Sequence, residues 1–90
     1  MNANVVIASG SNPQIRGTTL SESQQAGLLV IQGGQGSIED CKIFNNYIGI
    51  EIKENSAPVV KRCHINNNRR QGVAADSSSA GSITESELKN

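Results

Sequence analysis

The chain repeats itself every 22 or 23 residues. A pair of apolar residues five positions apart recurs as Ile15 and Leu20, Ile38 and Ile43, Val60 and Ile65, and Ile83 and Leu88, with first members 23, 22 and 23 residues apart. A glycine follows at a fixed place, as Gly27, Gly49 and Gly72. After each glycine come alternating apolar residues: Leu28 and Val30, Ile50 and Ile52, Val73 and Ala75. Val5 and Ile7 share that phase upstream. A turn residue then closes each unit, alternating Pro13, Gly36, Pro58 and Gly81. A period of 20–50 residues marks stacked repeats, in which each unit buries its apolar face only against its neighbours. Ninety residues hold about four such coils.

Two repeat architectures compete for this spacing. Ile38-x-x-Cys41-x-Ile43-x-x-Asn46 and Val60-x-x-Cys63-x-Ile65-x-x-Asn68 both fit the opening of a leucine-rich repeat. That architecture needs a helical turn in the second half of each unit. Here the second half reads Gly49-Ile50-Glu51-Ile52-Lys53 and Gly72-Val73-Ala74-Ala75-Asp76, strict period-2 alternation bounded by Ser, Asn, Pro and Gly. That pattern is a strand between turns. The chain is therefore expected to be all-β, a parallel β-helix of about four coils. Its inward set would be Ile15, Thr18, Leu20, Leu28, Val30, Ile38, Cys41, Ile43, Ile50, Ile52, Val60, Cys63, Ile65, Val73, Ala75, Ile83, Ser86 and Leu88.

Stacking at one period makes a separate prediction about charge. One outward column reads Arg16, Glu39, Lys61, Thr84 and the next reads Gly17, Asp40, Arg62, Glu85, alternating in sign from coil to coil. Opposite charges on neighbouring strands are favourable, and like charges are not. A further column of Asn45, Asn67 and Asn90, with Glu22 in the first full coil, suits turns, and stacked amides there could bond along the axis. The third coil is one residue short between Ile43 and Gly49, so its loop must be tighter.

The copies Gly36-Ser37-Ile38-Glu39-Asp40-Cys41-Lys42-Ile43-Phe44-Asn45-Asn46 and Ser56-Ala57-Pro58-Val59-Val60-Lys61-Arg62-Cys63-His64-Ile65-Asn66-Asn67-Asn68 resemble right-handed parallel β-helix repeats of the carbohydrate-binding and sugar-hydrolase (CASH) type. Within that group they are most similar to the β-helix region of F-box-only proteins, over nearly the whole chain from Val5 to Asn90. The resemblance implies a right-handed parallel β-helix, in keeping with the period of 22–23 residues, with residues 1–90 as a single repeat domain; the absence of capping helices leads one to expect a piece of a longer solenoid or a module that stacks end to end. The resemblance also implies a non-catalytic protein-interaction module, like the substrate-recognition part of a ubiquitin ligase subunit. The alternative is a piece of a carbohydrate-binding or polysaccharide-cleaving β-helix whose catalytic coils lie outside this chain.

Net charge is zero and the only aromatics are Phe44 and Tyr47, which argues against a nucleic-acid module. No apolar run approaches the ~20 residues of a membrane span, and Met1-Asn2-Ala3-Asn4 lacks the charged start of a secretion signal. An intracellular, cytoplasmic or nuclear, setting is expected. Polysaccharide-cleaving β-helices need clustered carboxylates for Ca²⁺ or for acid–base work. Here Glu39 and Asp40 lie between basic neighbours, and Glu51 and Glu54 face Ala74 and Ser77, so no catalytic residue, metal or cofactor is assigned. Cys41 and Cys63, one coil apart, read as buried thiols in a small core layer. His64 points outward as a surface histidine. Lys61, Arg62, His64, Arg69 and Arg70 concentrate positive charge on the fourth coil and form the candidate partner-binding patch, suited to an acidic protein or peptide. Neither end carries a capping helix, so self-association through the terminal coils is expected.

Overall fold

A computed structural model describes residues 3–88. Twelve short strands follow one another: β1 (Val5–Ile7), β2 (Gln14–Arg16), β3 (Thr19–Ser21), β4 (Ala26–Val30), β5 (Ser37–Glu39), β6 (Lys42–Phe44), β7 (Ile48–Ile52), β8 (Val59–Lys61), β9 (His64–Asn66), β10 (Gln71–Ala75), β11 (Ser82–Thr84) and β12 (Glu87–Leu88). They stack into three parallel sheets. Sheet A is β1-β4-β7-β10, sheet B is β2-β5-β8-β11 and sheet C is β3-β6-β9-β12. Each coil thus contributes one strand to each side of a three-sided parallel β-helix. The helical half-repeat of the leucine-rich alternative is replaced by β4, β7 and β10. The register is the one the repeat predicts, with Ile15 on Ile38 on Val60 on Ile83, and Leu20 on Ile43 on Ile65 on Leu88.

The apolar columns meet in the lumen. Leu20, Leu28, Val30, Ile38, Cys41, Ile43, Ile50, Ile52, Val60, Cys63 and Ile65 are buried in one cluster together with Ile7. Ile15, Val73 and Ile83 are half-buried against it. Two predicted inward residues depart: Ala75 is exposed and Leu88 is 49% exposed. They lie on β10 and β12, beyond which no further described strand covers them.

A second buried cluster lies outside the lumen. Ala26, Leu29, Ile31 and Ile48 are buried on the outer side of sheet A, with Ala3, Ala8 and Ala74 packed against them. Period-2 alternation sends Leu29 and Ile31 to solvent, and the reading of inward residues omitted them. The signal was the unbroken run Leu28-Leu29-Val30-Ile31. A strand apolar at consecutive positions is covered on both faces, whereas the matching Ile50-Glu51-Ile52-Lys53 alternates.

The amide ladder runs one column beyond the expected one. Asn45 and Asn67 take left-handed turn conformations, with φ of 58° and 54°, as does Glu22 at 64°. They make the turn, and Asn45 Nδ2 also donates along the axis to Glu22 Oε2 at 3.0 Å, as expected of this column; Asn90 lies outside the described residues. The buried amides are their successors Asn46 and Asn68, 0% and 3% exposed, in the column that Ser23 begins. The Asn46 carboxamide oxygen accepts from the Ser23 amide at 2.9 Å, and its Nδ2 donates to the Leu20 carbonyl at 3.1 Å. The Asn68 carboxamide oxygen accepts from the Asn46 amide at 3.0 Å and from Asn46 Nδ2 at 3.2 Å, while Asn68 Nδ2 donates to the Ile43 carbonyl at 3.3 Å. Each asparagine side chain therefore satisfies backbone groups of the coil before it.

The glycine column exists because of this ladder. A Cβ at Gly27 would lie 2.7 Å from Asn46 Nδ2 and 2.9 Å from the Gly49 carbonyl. At Gly49 it would press on the Gly72 carbonyl and lie 2.8 Å from Asn68 Nδ2. Space for the buried amide is what the position demands.

The corner between sheets B and C is a second repeated device. Gly17, Asp40, Arg62 and Glu85 all turn through φ of 52–57° there. The following residue caps the carbonyl of the preceding one. Thr18 Oγ1 donates to the Arg16 carbonyl at 2.9 Å, Cys41 Sγ to Glu39 at 3.3 Å, Cys63 Sγ to Lys61 at 3.5 Å and Ser86 Oγ to Thr84 at 2.9 Å. The thiols fill a core layer as expected and remain unbridged. They also serve as donors, which is why Thr, Cys and Ser interchange in this column. Burial pushes the Cys63 thiol up, away from the reactive thiolate.

Gly49→Ala is expected to lower unfolding stability by about 2–3 kcal/mol through overpacking. Asn46→Leu should cost at least about 3 kcal/mol, because Ser23 N–H and the Leu20 carbonyl lose their partner inside the protein. Urea denaturation of both variants checks this; loss below about 1 kcal/mol in each would remove the ladder from the centre of the stability account. In the corner column Cys63→Ser keeps the donor and should be the more stable of a pair with Cys63→Ala, by about 1 kcal/mol. The reverse order would make the thiol an apolar filler alone.

Candidate functional site

The predicted patch is divided between two corners of the solenoid. Lys61 and Arg62 stand at the corner of sheets B and C, and His64 begins the neighbouring strand of sheet C. All three have acidic partners. Arg62 Nε lies 3.0 Å from Asp40 Oδ1, and Arg62 Nη2 lies 3.2 Å from Glu39 Oε1. Lys61 Nζ is 3.9 Å from Glu85 and His64 Nδ1 is 3.2 Å from Glu87. Arg16 lies 3.7 Å from Glu39. The alternation of sign holds, and Arg62 meets Asp40 within its own column as expected, but two further pairs run diagonally. Lys61, expected to meet Glu39, turns to Glu85, and Glu39 takes Arg62 instead. The hydrogen bond from the Arg62 guanidinium holds the Asp40 carboxyl below its usual range, and Asp40 raises Arg62 in return. These pairs are exposed, so they fix register more than they add stability.

Arg69 and Arg70 lie elsewhere, in the loop from β9 to β10 at the corner of sheets C and A. The shortened loop of the third coil shapes this place. Three residues, Asn45 to Tyr47, join β6 to β7, where the coils on either side use four. The Tyr47 amide still bonds to the Ser23 carbonyl at 3.0 Å, and its own carbonyl accepts from the Arg70 amide at 2.8 Å. Because the loop is short, Arg69 spans it. Its guanidinium lies 5.9 Å from the Tyr47 ring centroid, and Nη2 reaches the Ser23 carbonyl two coils away at 3.5 Å. A cation over an aromatic face contributes ~0.5–1 kcal/mol at an exposed site. Hydrogen bonding to Tyr47 raises Arg70. Tyr47 itself is 38% exposed.

Beyond Tyr47 and Arg70 a groove of about 430 Å³ runs along the outer face of sheet A. Gln25, Ile48, Glu51, Ile52 and Lys53 line it from the second and third coils, and Gln71, Ala74, Ala75 and Asp76 from the fourth. Alternation on β7 and β10 puts Glu51 and Ala74 side by side on this face, as the sequence reading expected. Ala74 is small, so the face sinks at the fourth coil. Lys53 Nζ lies 3.8 Å from Glu51. The Asp76 carboxylate accepts from the Glu54 amide at 3.1 Å and from the Ser78 hydroxyl and amide at 2.9 and 3.1 Å, and these bonds hold it below its usual range. The groove therefore has one arginine–tyrosine end, a carboxylate–lysine pair on its floor, and an aspartate already engaged by backbone.

Sequence reasoning named Arg69 and Arg70 but missed Tyr47, Gln25, Glu51, Lys53 and Gln71 as their neighbours. The usable signal was the missing residue before Gly49, which marked this corner as different. Among the described residues no group of three or more His, Cys, Asp and Glu side chains is arranged to hold a metal ion.

No solved structure matches the chain. A family model described as the right-handed β-helix region matches residues 2–90, in agreement with the three stacked parallel sheets, and the chain belongs to that family.

Proposed function

We propose that this chain is a non-catalytic recognition module that binds an extended, acidic stretch of polypeptide in the groove on sheet A. The carrying observation is the contrast between the two corners. Lys61, Arg62 and His64 are engaged by carboxylates, whereas Arg69 lies over the Tyr47 ring and Arg70, with Tyr47, lines one end of a groove. Arg70, hydrogen-bonded to Tyr47 at the groove's end, can meet a carboxylate with the two parallel N–H bonds of its guanidinium. The parallel strands beneath give the groove a floor that does not have to be ordered on binding, which lowers the cost of association.

The groove's own carboxylates support a binding role over a catalytic one. A glycoside-cleaving pair needs one carboxyl kept protonated as a general acid. Hydrogen bonds hold the Asp76 carboxyl below its usual range, the opposite of what a general acid needs, and Glu51 lies 3.8 Å from Lys53. Substrate recognition within a ubiquitin ligase is the finer form of this reading and rests on the sequence resemblance to F-box-only proteins. A second reading, a neutral oligosaccharide, is favoured by the exposed Tyr47 ring beside the amides of Gln25 and Gln71.

The test is fluorescence anisotropy with labelled peptides alternating Glu and Thr, beside a glycan array. Binding of the acidic peptide should weaken about tenfold in Arg70→Glu, the value for loss of a charge-assisted contact. Lys42→Glu, on the outer face of sheet C, should leave it unchanged. Equal loss in both variants would reduce the effect to net charge. Glycan binding without peptide binding would replace this reading by the second.

A further inference from the structure

The outer face of sheet C carries a depression separate from the groove on sheet A. It holds about 400 Å³ and is lined by Lys42 and Phe44 of β6 and by His64 and Asn66 of β9. These are the inner strands of their sheet, flanked by β3 and β12. Ile43 and Ile65 are buried in the lumen, so alternation turns the residues on either side of each outward. Register sets Lys42 beside His64 and Phe44 beside Asn66. The two columns stand two residues apart, about 7 Å at the rise of a strand.

The charge pattern breaks here. The corner columns alternate in sign, whereas this one reads Thr19, Lys42, His64, Glu87. Glu87 engages His64 Nδ1 at 3.2 Å, and Lys42 has no acidic partner among the described residues. The neighbouring column reads Ser21, Phe44, Asn66. Phe44 is half-buried, and the Asn66 carboxamide has no hydrogen-bond partner among the described residues.

We propose that this depression binds a nucleoside monophosphate. The Lys42 ammonium gives the phosphate a charge-assisted bond, and His64, its Nδ1 committed to Glu87, has Nε2 left for the same group. One column over, the Phe44 ring is a platform on which a base stacks. The Asn66 carboxamide, a donor and an acceptor side by side, matches the N6 and N7 edge of adenine. The ribose spans the two columns. Free phosphate would leave Phe44 and Asn66 unused, and a phosphorylated phenol ring would leave the amide unused. One ring and one unpaired cation suit a single nucleotide; a longer nucleic acid needs the basic surface that a net charge of zero denies.

Titration of the isotope-labelled full chain with adenosine 5′-monophosphate, followed by NMR, tests this. Amide resonances of β6 and β9 should shift and saturate, while those of β10 stay in place. Lys42→Ala and Phe44→Leu should each weaken binding about tenfold, through loss of the charged contact and of the stack. Arg16→Glu, a larger change in net charge on another face, should leave it unchanged. Competition needs no variant and covers the case in which one fails to fold: ribose 5-phosphate and adenosine should each bind at least about tenfold more weakly than the whole nucleotide. Absence of a saturable shift, shifts confined to other faces, inorganic phosphate binding as well as the nucleotide, equal loss in Arg16→Glu, or unchanged affinity in a folded Lys42→Ala or Phe44→Leu would each overturn the proposal.

Discussion

Everything in this molecule depends on one coil finding its register on the next, and the buried carboxamides of Asn46 and Asn68 set it. An apolar column alone excludes a one-residue slip but not a two-residue one, which keeps the same set of side chains facing the lumen. A buried amide excludes that as well. Asn46 bonds at once to the Ser23 amide, the Leu20 carbonyl and the Asn68 amide oxygen, and a slip leaves several polar groups unpaired in the interior at about 1–3 kcal/mol each. A domain of this size is stable by only ~5–13 kcal/mol in all. The glycine column is the same device seen from the other side, since the amide fits only where no Cβ stands.

What the sequence made legible follows from this hierarchy. The lumen columns were read correctly down to the pairing of Ile38 with Val60, because burial imposes one chemistry on every coil. The corners were harder. Gly17, Asp40, Arg62 and Glu85 share a left-handed conformation and no chemistry, so only the glycine hinted at it. Thr18, Cys41, Cys63 and Ser86 share a donor bonded to the carbonyl two residues back, a kinship hidden when the cysteines are read as apolar. Asn46 and Asn68 were visible as the last position of the motif shared with leucine-rich repeats, and setting that architecture aside also set aside its most informative residue.

The candidate site was less legible than the fold, for a physical reason. A repeat writes columns, and function sits where a column breaks. The basic residues of the fourth coil are contiguous in sequence, yet the chain turns a corner between His64 and Arg69, and the two groups meet different neighbours. One group is neutralised by the coils on either side. The other reaches a gap left by a single missing residue in the third coil. Composition counts both alike; only the stacking separates them.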